Sequence, residues 1–264
     1  MRFKITMSVT GRGRYLPVDY QYYLSSWIYK RIAGGDREFA NFLHEQGYRM
    51  GHRKFKLFNF SLIDLKPYLL HKYRGVFELQ GSMVSFEFGC ALPDIAAPLI
   101  KGIFRDATAG LGDKINRVDF VVSHIELLPE PGFCEVMDYR VQSLCLVTRA
   151  PQGDERHGQY LFPGDETYTH RLEENLMNKY QTVGRALAVA GANEDLPSIT
   201  VEVGQDYREK KIRLKPFTPQ QTDIKGGSEF ECRINAPVEV QKVVWGVGLG
   251  EKGSMGCGWV DIRS

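Results

Sequence analysis

Long apolar runs are missing from this 264-residue chain; the longest are short stretches such as "VDFVV" and "LCLV". A membrane-spanning helix needs ~20 apolar residues, so none is expected and no membrane partner follows. A leader with a charged start and an apolar core is also lacking. "MRFKITMSVT" alternates polar and apolar residues and reads as a strand, so no signal peptide is expected. Cysteine is scarce: Cys90, Cys134, Cys145, Cys232 and Cys257 are an odd set without CxxC spacing, and the histidines do not complete a ligand pattern with them. That usage fits reduced structural thiols in a cytoplasmic protein with no metal and no cofactor. No GxxxxGK[ST] phosphate loop occurs, and no paired carboxylates suggest two-metal nuclease chemistry. Net charge is only +2, which excludes the overall basic balance of a protein that binds nucleic acid over its whole surface.

The positive charge is clustered instead. "RMGHRKFK" carries Arg49, Arg53, Lys54 and Lys56 with no acid, and "REKKIRLK" carries Arg208, Lys210, Lys211, Arg213 and Lys215 with one. "GRGRY" adds Arg12 and Arg14. A single run of this kind reads as a solvated face; three together point to an anionic partner. Lys211, Arg213 and Lys215 alternate, so as a strand they share one face and can contact phosphates.

Hydrophobic periodicity divides the chain into two similar halves. Residues 1–10 read as a strand, and Tyr20, Tyr23, Leu24, Trp27, Ile28 and Ile32 form one stripe of a helix. Asp36 can cap a short second helix, "REFANFLHEQ", with Phe39, Phe42 and Leu43 inward and Gly47 as its stop. "KFKLFNFSLI" reads as one alternating strand, and "GVFELQGSMVSFEFG" as a hairpin turning at Gly81-Ser82. "LPDIAAPLIKGIFRDA" is a helix and "NRVDFVVSHIEL" a strand; "LPEPG" (128–132) is a boundary. The second half repeats the order: the strand "CEVMDYRVQSLCLVT", a helix over 168–190, the strands "SITVEV", "KKIRLKPF" and "SEFECRIN", the helix "PVEVQKVVWGV", and the final strand "GWVDIR". The fold class expected is α+β, two tandem ferredoxin-like (β-α-β-β-α-β) domains over residues 1–128 and 133–264.

Between that last helix and the final strand lies "GVGLGEKGSMGCG", with six glycines in the thirteen positions 246–258. It is not a dinucleotide fingerprint, because that motif follows a strand and opens a helix. The pattern is Gly248-Leu-Gly250, five residues, then Gly256-Cys-Gly258, with Lys252 and Ser254 inside. Glycines free the backbone so that successive N–H groups can converge on an anion, and a lysine adds charge.

The helix followed by "GLGEKGSMGCG" resembles the glycine-rich GhGxxxxxGhG signature of the CRISPR-associated endoribonucleases that process repeat RNA into guide RNAs. These belong to the RAMP superfamily of RNA-binding proteins, built from ferredoxin-like domains. "YYLSSWIYKRI", "NFLHEQGYR" and "RKFKLFNFS" resemble the N-terminal segments of that family, so the likeness runs the length of the chain. The resemblance implies CRISPR repeat RNA as partner, with Gly248, Gly250, Lys252, Ser254, Gly256, Gly258, Arg53, Lys54, Lys211 and Arg213 as RNA contacts. It implies a monomer or homodimer and, in the alternative reading, a non-catalytic subunit that binds repeat RNA among other CRISPR effector subunits.

The family cuts RNA without a metal: the ribose 2′-OH attacks the adjacent phosphorus and leaves a 2′,3′-cyclic phosphate and a 5′-OH. One group must take the 2′-proton, another must protonate the leaving oxygen, and positive charge must meet the phosphorane. Histidine suits either proton role, since an unperturbed imidazole titrates at ~6.5. By position the resemblance assigns catalysis to His44 in "FLHE", Tyr29 in "WIYK" and Lys56 in "FKLFNFS". The residues themselves leave His52 as a competing histidine, and Arg53 or Lys54 as competitors for Lys56. They do not decide which of His44 and Tyr29 is acid or base.

Overall fold

The alternating N-terminal segment forms the strand Arg2–Thr10, and it becomes the middle of an antiparallel five-stranded sheet. The strand order is Phe58–Phe60, Met83–Cys90, Arg2–Thr10, Arg117–Leu128, Thr108–Gly112. In this computed structural model, which describes residues 1–151, 158–188, 196–216 and 218–263, the first four of those strands have the ferredoxin-like 2-3-1-4 arrangement. Thr108–Gly112 is an added edge strand that the sequence pattern did not signal. Helices α1 (Tyr20–Gly35) and α3 (Pro93–Arg105) pack together; of the predicted stripe, Tyr20, Leu24, Trp27, Ile28 and Ile32 are buried and Tyr23 is half-buried. Asp36 caps α2 (Arg37–Asn41) as expected, accepting a 2.9 Å bond from the Phe39 amide.

The second half repeats the plan. Its four-stranded sheet runs Thr200–Val203, Phe230–Asn235, Val136–Val141, Val260–Ile262, again 2-3-1-4. Helices α4 (Tyr168–Ala186) and α5 (Val238–Val247) pack together, and Val240, Val243, Val244 and Val247 are all buried. The two tandem ferredoxin-like domains are therefore present. The last residues of the helix expected over 168–190 lie outside the described residues. Among the described residues no helix is long and apolar enough to cross a membrane.

Three local expectations are corrected. "GVFELQGSMVSFEFG" is not a hairpin: Val76–Leu79 pairs with Tyr15–Pro17 and Tyr68–His71, while Met83–Cys90 joins the main sheet. The true hairpin, Tyr68–His71 with Val76–Leu79, turns earlier, through Gly75 at φ +62°. "KFKLFNFSLI" is not one strand either. Arg53–Phe55 pairs with Tyr48–Met50, the chain kinks at Leu57 (φ 53°), and Phe58–Phe60 then pairs with Met83–Cys90. Third, "LCLV" leaves the C-terminal sheet, and Val147–Arg149 pairs with Gln159–Leu161.

One buried cation ties the domains. Arg2 is 1% exposed and lies between the rings of Trp245 and Trp259, 3.4 and 3.8 Å from their centroids. Its guanidinium donates to the carbonyls of Trp245 (2.8 Å) and Val260 (2.6 Å), with Glu87 and Asp261 each 3.5 Å away. Burial lowers its pKa to about 10, opposed by those two carboxylates, so it remains charged at neutral pH. Removing one partner of such a buried set typically costs 3–5 kcal/mol.

Candidate active site and RNA interface

After α2 the chain widens into a single π turn, Phe42–Gln46, closed by the Gly47 amide donating to the Phe42 carbonyl (2.7 Å). Such turns are rare and recur at functional sites. Leu43 points into the core, and His44 is left exposed at the tip. The carbonyls at the end of this turn are satisfied by the neighbouring hairpin. Lys56 Nζ donates to the carbonyls of Leu43 and of His44 (2.9 Å), and Lys54 Nζ donates to that of Glu45 (3.1 Å). Cationic side chains suit that position because helix C-terminal carbonyls carry partial negative charge. Lys56 has its pKa lowered, first by burial and then by the charge of Lys54. It sits in the kink before Leu57 and not on an alternating strand, and this is what lets it reach back to the histidine turn.

Tyr29, on the face of α1 away from the core stripe, meets His44 edge-on, with ring centroids 5.8 Å apart at 86°. Its other side packs against Phe58 at 5.5 Å. Burial raises the pKa of the Tyr29 hydroxyl; a hydrogen bond with the Ser254 side chain pulls the other way. Tyr29 thus stays a neutral hydroxyl at physiological pH and can donate a hydrogen bond, but it is a poor base.

Ser254 lies on the glycine-rich loop and its carbonyl accepts from Ser25, one turn before Tyr29, so α1 touches both the loop and the histidine turn. Most of the loop's glycines serve close backbone crossing. Gly248, Gly250, Gly256 and Gly258 all have φ between +64° and +76°. A Cβ on Gly258 would lie 1.7 Å from the Leu249 carbonyl oxygen, and one on Gly248 would lie 2.3 Å from that of Gly258. The amides of Gly248, Leu249, Glu251, Gly256 and Gly258 are spent on the carbonyls of Val244, Gly258, Leu146, Gly253 and Leu144. The first domain clamps the loop: Asn59 Nδ2 donates to the Cys257 carbonyl (2.8 Å), Gln21 Nε2 to that of Gly256 (3.1 Å) and Ser25 Oγ to that of Ser254 (2.7 Å). What stays available is the crest, a 3₁₀ turn over Gly253–Met255 preceded by exposed Lys252. Lys252 holds φ 55°, a left-handed conformation that costs a non-glycine residue ~1–2 kcal/mol.

The crest forms one wall of a cavity of about 670 Å³ between the domains. Arg53, Lys54, Lys56, Arg149, Arg171, Lys179 and Lys252 line it; among the described residues the one lining carboxylate is Glu251, which is held by the Thr148 amide (3.0 Å) and hydroxyl (2.8 Å). Lys179 is buried and donates to the Gly248 carbonyl at 2.8 Å; burial lowers its pKa to about 8, while Cys145, Glu251 and Cys257 act in the opposite direction.

Of the expected site residues, the structure brings Gly250, Lys252, Ser254, Arg53, Lys54 and Lys56 to this cavity; Tyr29 and His44 do not line it, and His44 is joined to it through its backbone carbonyl, which accepts from the lining Lys56. Gly248, Gly256 and Gly258 lie behind the crest and do not line it. Lys211 and Arg213 are elsewhere, in the hairpin Arg208–Leu214 with Thr222–Ser228, and both pair with Asp223 (3.1 and 3.5 Å). His52 is an exposed turn residue. Sequence reasoning missed Arg149, Arg171, Asn175 and Lys179. A signal existed for two of them, because Asn175 and Lys179 interrupt the buried stripe of Tyr168, Leu172, Leu176 and Val183 on α4.

Two ferredoxin-like domains grip a glycine-rich loop beside a cation-lined cavity. Residues 129–262 match the family described as CRISPR associated protein Cas6, C-terminal, and residues 15–126 match CRISPR-associated protein Cas6, N-terminal. The chain belongs to the Cas6 family of CRISPR-associated endoribonucleases. It is 26% identical over 262 residues to CRISPR-associated endoribonuclease Cas6 1 of Methanocaldococcus jannaschii, covering 98% of this chain and 92% of that one. It is 25% identical over 273 residues to the Cas6 endoribonuclease of Pyrococcus furiosus, covering 100% and 90%. Among solved structures, a Cas6-related protein from Pyrococcus furiosus superposes with a TM-score of 0.79 at 21% identity, covering 100% of this chain and 98% of that one. A RAMP protein described as binding different RNA substrates superposes with a TM-score of 0.78 at 18% identity, with full coverage of both chains.

Proposed function

We propose that this chain is a metal-independent endoribonuclease that cuts CRISPR repeat RNA to produce guide RNAs. The observation that carries the reading is the meeting of His44, at 5.8 Å, with Tyr29 on α1, whose Ser25, one turn before Tyr29, donates to the Ser254 carbonyl (2.7 Å) of the crest that lines the cationic cavity. A strand crossing the crest would place a phosphate near Lys252 and its ribose near His44. The 2′-oxygen forms a bond to phosphorus as it loses its proton, the bond from phosphorus to the 5′-oxygen breaks, and that oxygen takes up a proton. His44 is the exposed imidazole suited to move a proton, and Tyr29, kept neutral by burial, donates a hydrogen bond toward the developing phosphorane. Lys56 acts as a positioning residue, since its ammonium is spent on the carbonyls of the turn that presents His44. Phosphate contacts come from Arg53, Lys54, Lys252 and the crest around Gly250 and Ser254.

The test is cleavage of labelled repeat RNA in EDTA, repeated with 2′-deoxy at the cut position. Cutting of the first and protection of the second are expected, with cyclic-phosphate and 5′-OH ends. His44→Ala should slow cleavage by about 10²–10⁴ and leave affinity within about twofold. Tight binding with no cutting by the unaltered chain would identify a non-catalytic repeat-RNA-binding subunit instead.

A further inference from the structure

The face that α4 presents to the cavity is unusual for a buried one. Its stripe is apolar at Tyr168, Leu172, Leu176 and Val183, and polar at Asn175 and Lys179, with Arg171 one turn before Asn175. Lys179 has its partner in the Gly248 carbonyl, and Arg171 Nη1 pairs with Glu174 at 2.9 Å. Asn175 does not: it is 5% exposed, it lines the cavity, and its Oδ1 accepts no hydrogen bond from any described residue. A buried amide oxygen without a partner costs stability that an aliphatic side chain would not, so such groups in folded proteins call for a reason.

The chemistry around it narrows the reason. An amide oxygen accepts hydrogen bonds and repels phosphate oxygens, and with the amide N–H₂ beside it the side chain presents an acceptor next to a donor, a pair that fits only a base edge carrying a donor and an acceptor in the matching order. The cavity's cations suit the flanking phosphates, Phe55, Phe58 and Met255 supply apolar wall, and about 670 Å³ has room for a nucleoside with its phosphate. Proteins that read RNA sequence do so chiefly on unstacked bases of single strands. We infer that Asn175 is a specificity-determining residue, its amide reading the edge of one unstacked base of the RNA strand seated between α4 and the crest of the glycine loop. This rests on the RNA-processing reading above.

The test uses a pool of single-stranded RNA 30-mers randomised at every position, bound to the full chain and sequenced. The unaltered protein is expected to enrich one base at one position at least tenfold. Asn175→Leu should lose that preference alone, keep the remaining sequence profile and salt dependence, and melt no lower than the unaltered chain. Should Asn175→Leu fail to fold, Asn175→Ala gives the same readout. Identical enrichment in wild type and variant, or a loss spread evenly over all positions, overturns the inference. A chain that still cuts repeat RNA with an unaltered base profile in the variant overturns this inference alone; a chain that neither binds the pool nor cuts the repeat overturns the function as well.

Discussion

Two basic hairpins look alike as sequence and differ as structure. In the first, Tyr48–Met50 with Arg53–Phe55, the register sets Arg49 directly opposite Lys54. Like charges facing across a strand pair are destabilising. Among the described residues, the one acid paired with the cations of this hairpin is Glu174, 4.0 Å from Arg53 on the other domain. In the second hairpin the register sets Lys211 opposite Lys225, a like pair as in the first, but it also sets Arg213 opposite Asp223, and Lys211 reaches that same carboxylate. The first hairpin walls the cavity and the second does not; its Ile212, Leu214 and Ile224 pack with Cys257 and Met255 behind the glycine loop. Under the proposed function, the cations of the first hairpin, which face no described carboxylate across their register, are the ones an RNA phosphate would meet. Charge already matched across a register serves the fold.

The sharpest way to break this comparison is to neutralise each hairpin in turn. Arg53→Gln with Lys54→Gln should weaken repeat-RNA binding by on the order of tenfold. It should also flatten the slope of log affinity against log salt by about 1.4, from ~0.7 per phosphate contact on a single strand. Lys211→Gln with Arg213→Gln should leave the slope unchanged and the melting temperature within a few degrees of the unaltered chain, because exposed ion pairs contribute little. Equal slopes lost from both pairs in a filter-binding salt series would abolish the distinction.

The paired β-α-β-β-α-β order was legible because periodicity and breakers report single elements well, and the Asp36 cap and the α5 stripe agreed. Strand partnership was less legible. Nothing local says that Val76–Leu79 turns back to Tyr68–His71, or that Asp223 would face Arg213, because register is a property of two distant segments. His44 and Tyr29 were named from resemblance, and their contact depends on a π turn that no periodicity announces. The glycines were legible as close approach but not in their object. Gly248 and Gly258 admit each other's backbone, so the proposed anion contact falls to Lys252 and its neighbours. Asn175 and Lys179 could have been found as polar residues on an otherwise apolar stripe.

A smaller effect separates the two kinds of cation by pH. Asp223 has its carboxyl held below the usual range, first by its hydrogen bond with Lys211, so the second hairpin keeps its pairing throughout pH 7 to 9. In the cavity, Lys179 has been brought down to about 8 by burial, and the nearby Cys145 and Cys257 thiols, raised to about 11 and about 12, do not titrate in that range. Raising pH from 7 to 9 should therefore remove one charge from the cavity, that of Lys179, and leave the Lys211–Asp223 pair of the hairpin intact, lowering the salt slope of RNA binding by up to ~0.7. Stability moves the other way. Between pH 8 and ~10.4 the unfolded chain holds a proton on Lys179 that the folded chain has released, so this lysine's contribution to stability rises with pH. Weaker binding by a protein that melts no lower is the expected signature, and Lys179→Met should flatten the binding profile. A fall in affinity that tracks a falling melting temperature, or one that persists unchanged in Lys179→Met, would place the titrating group elsewhere.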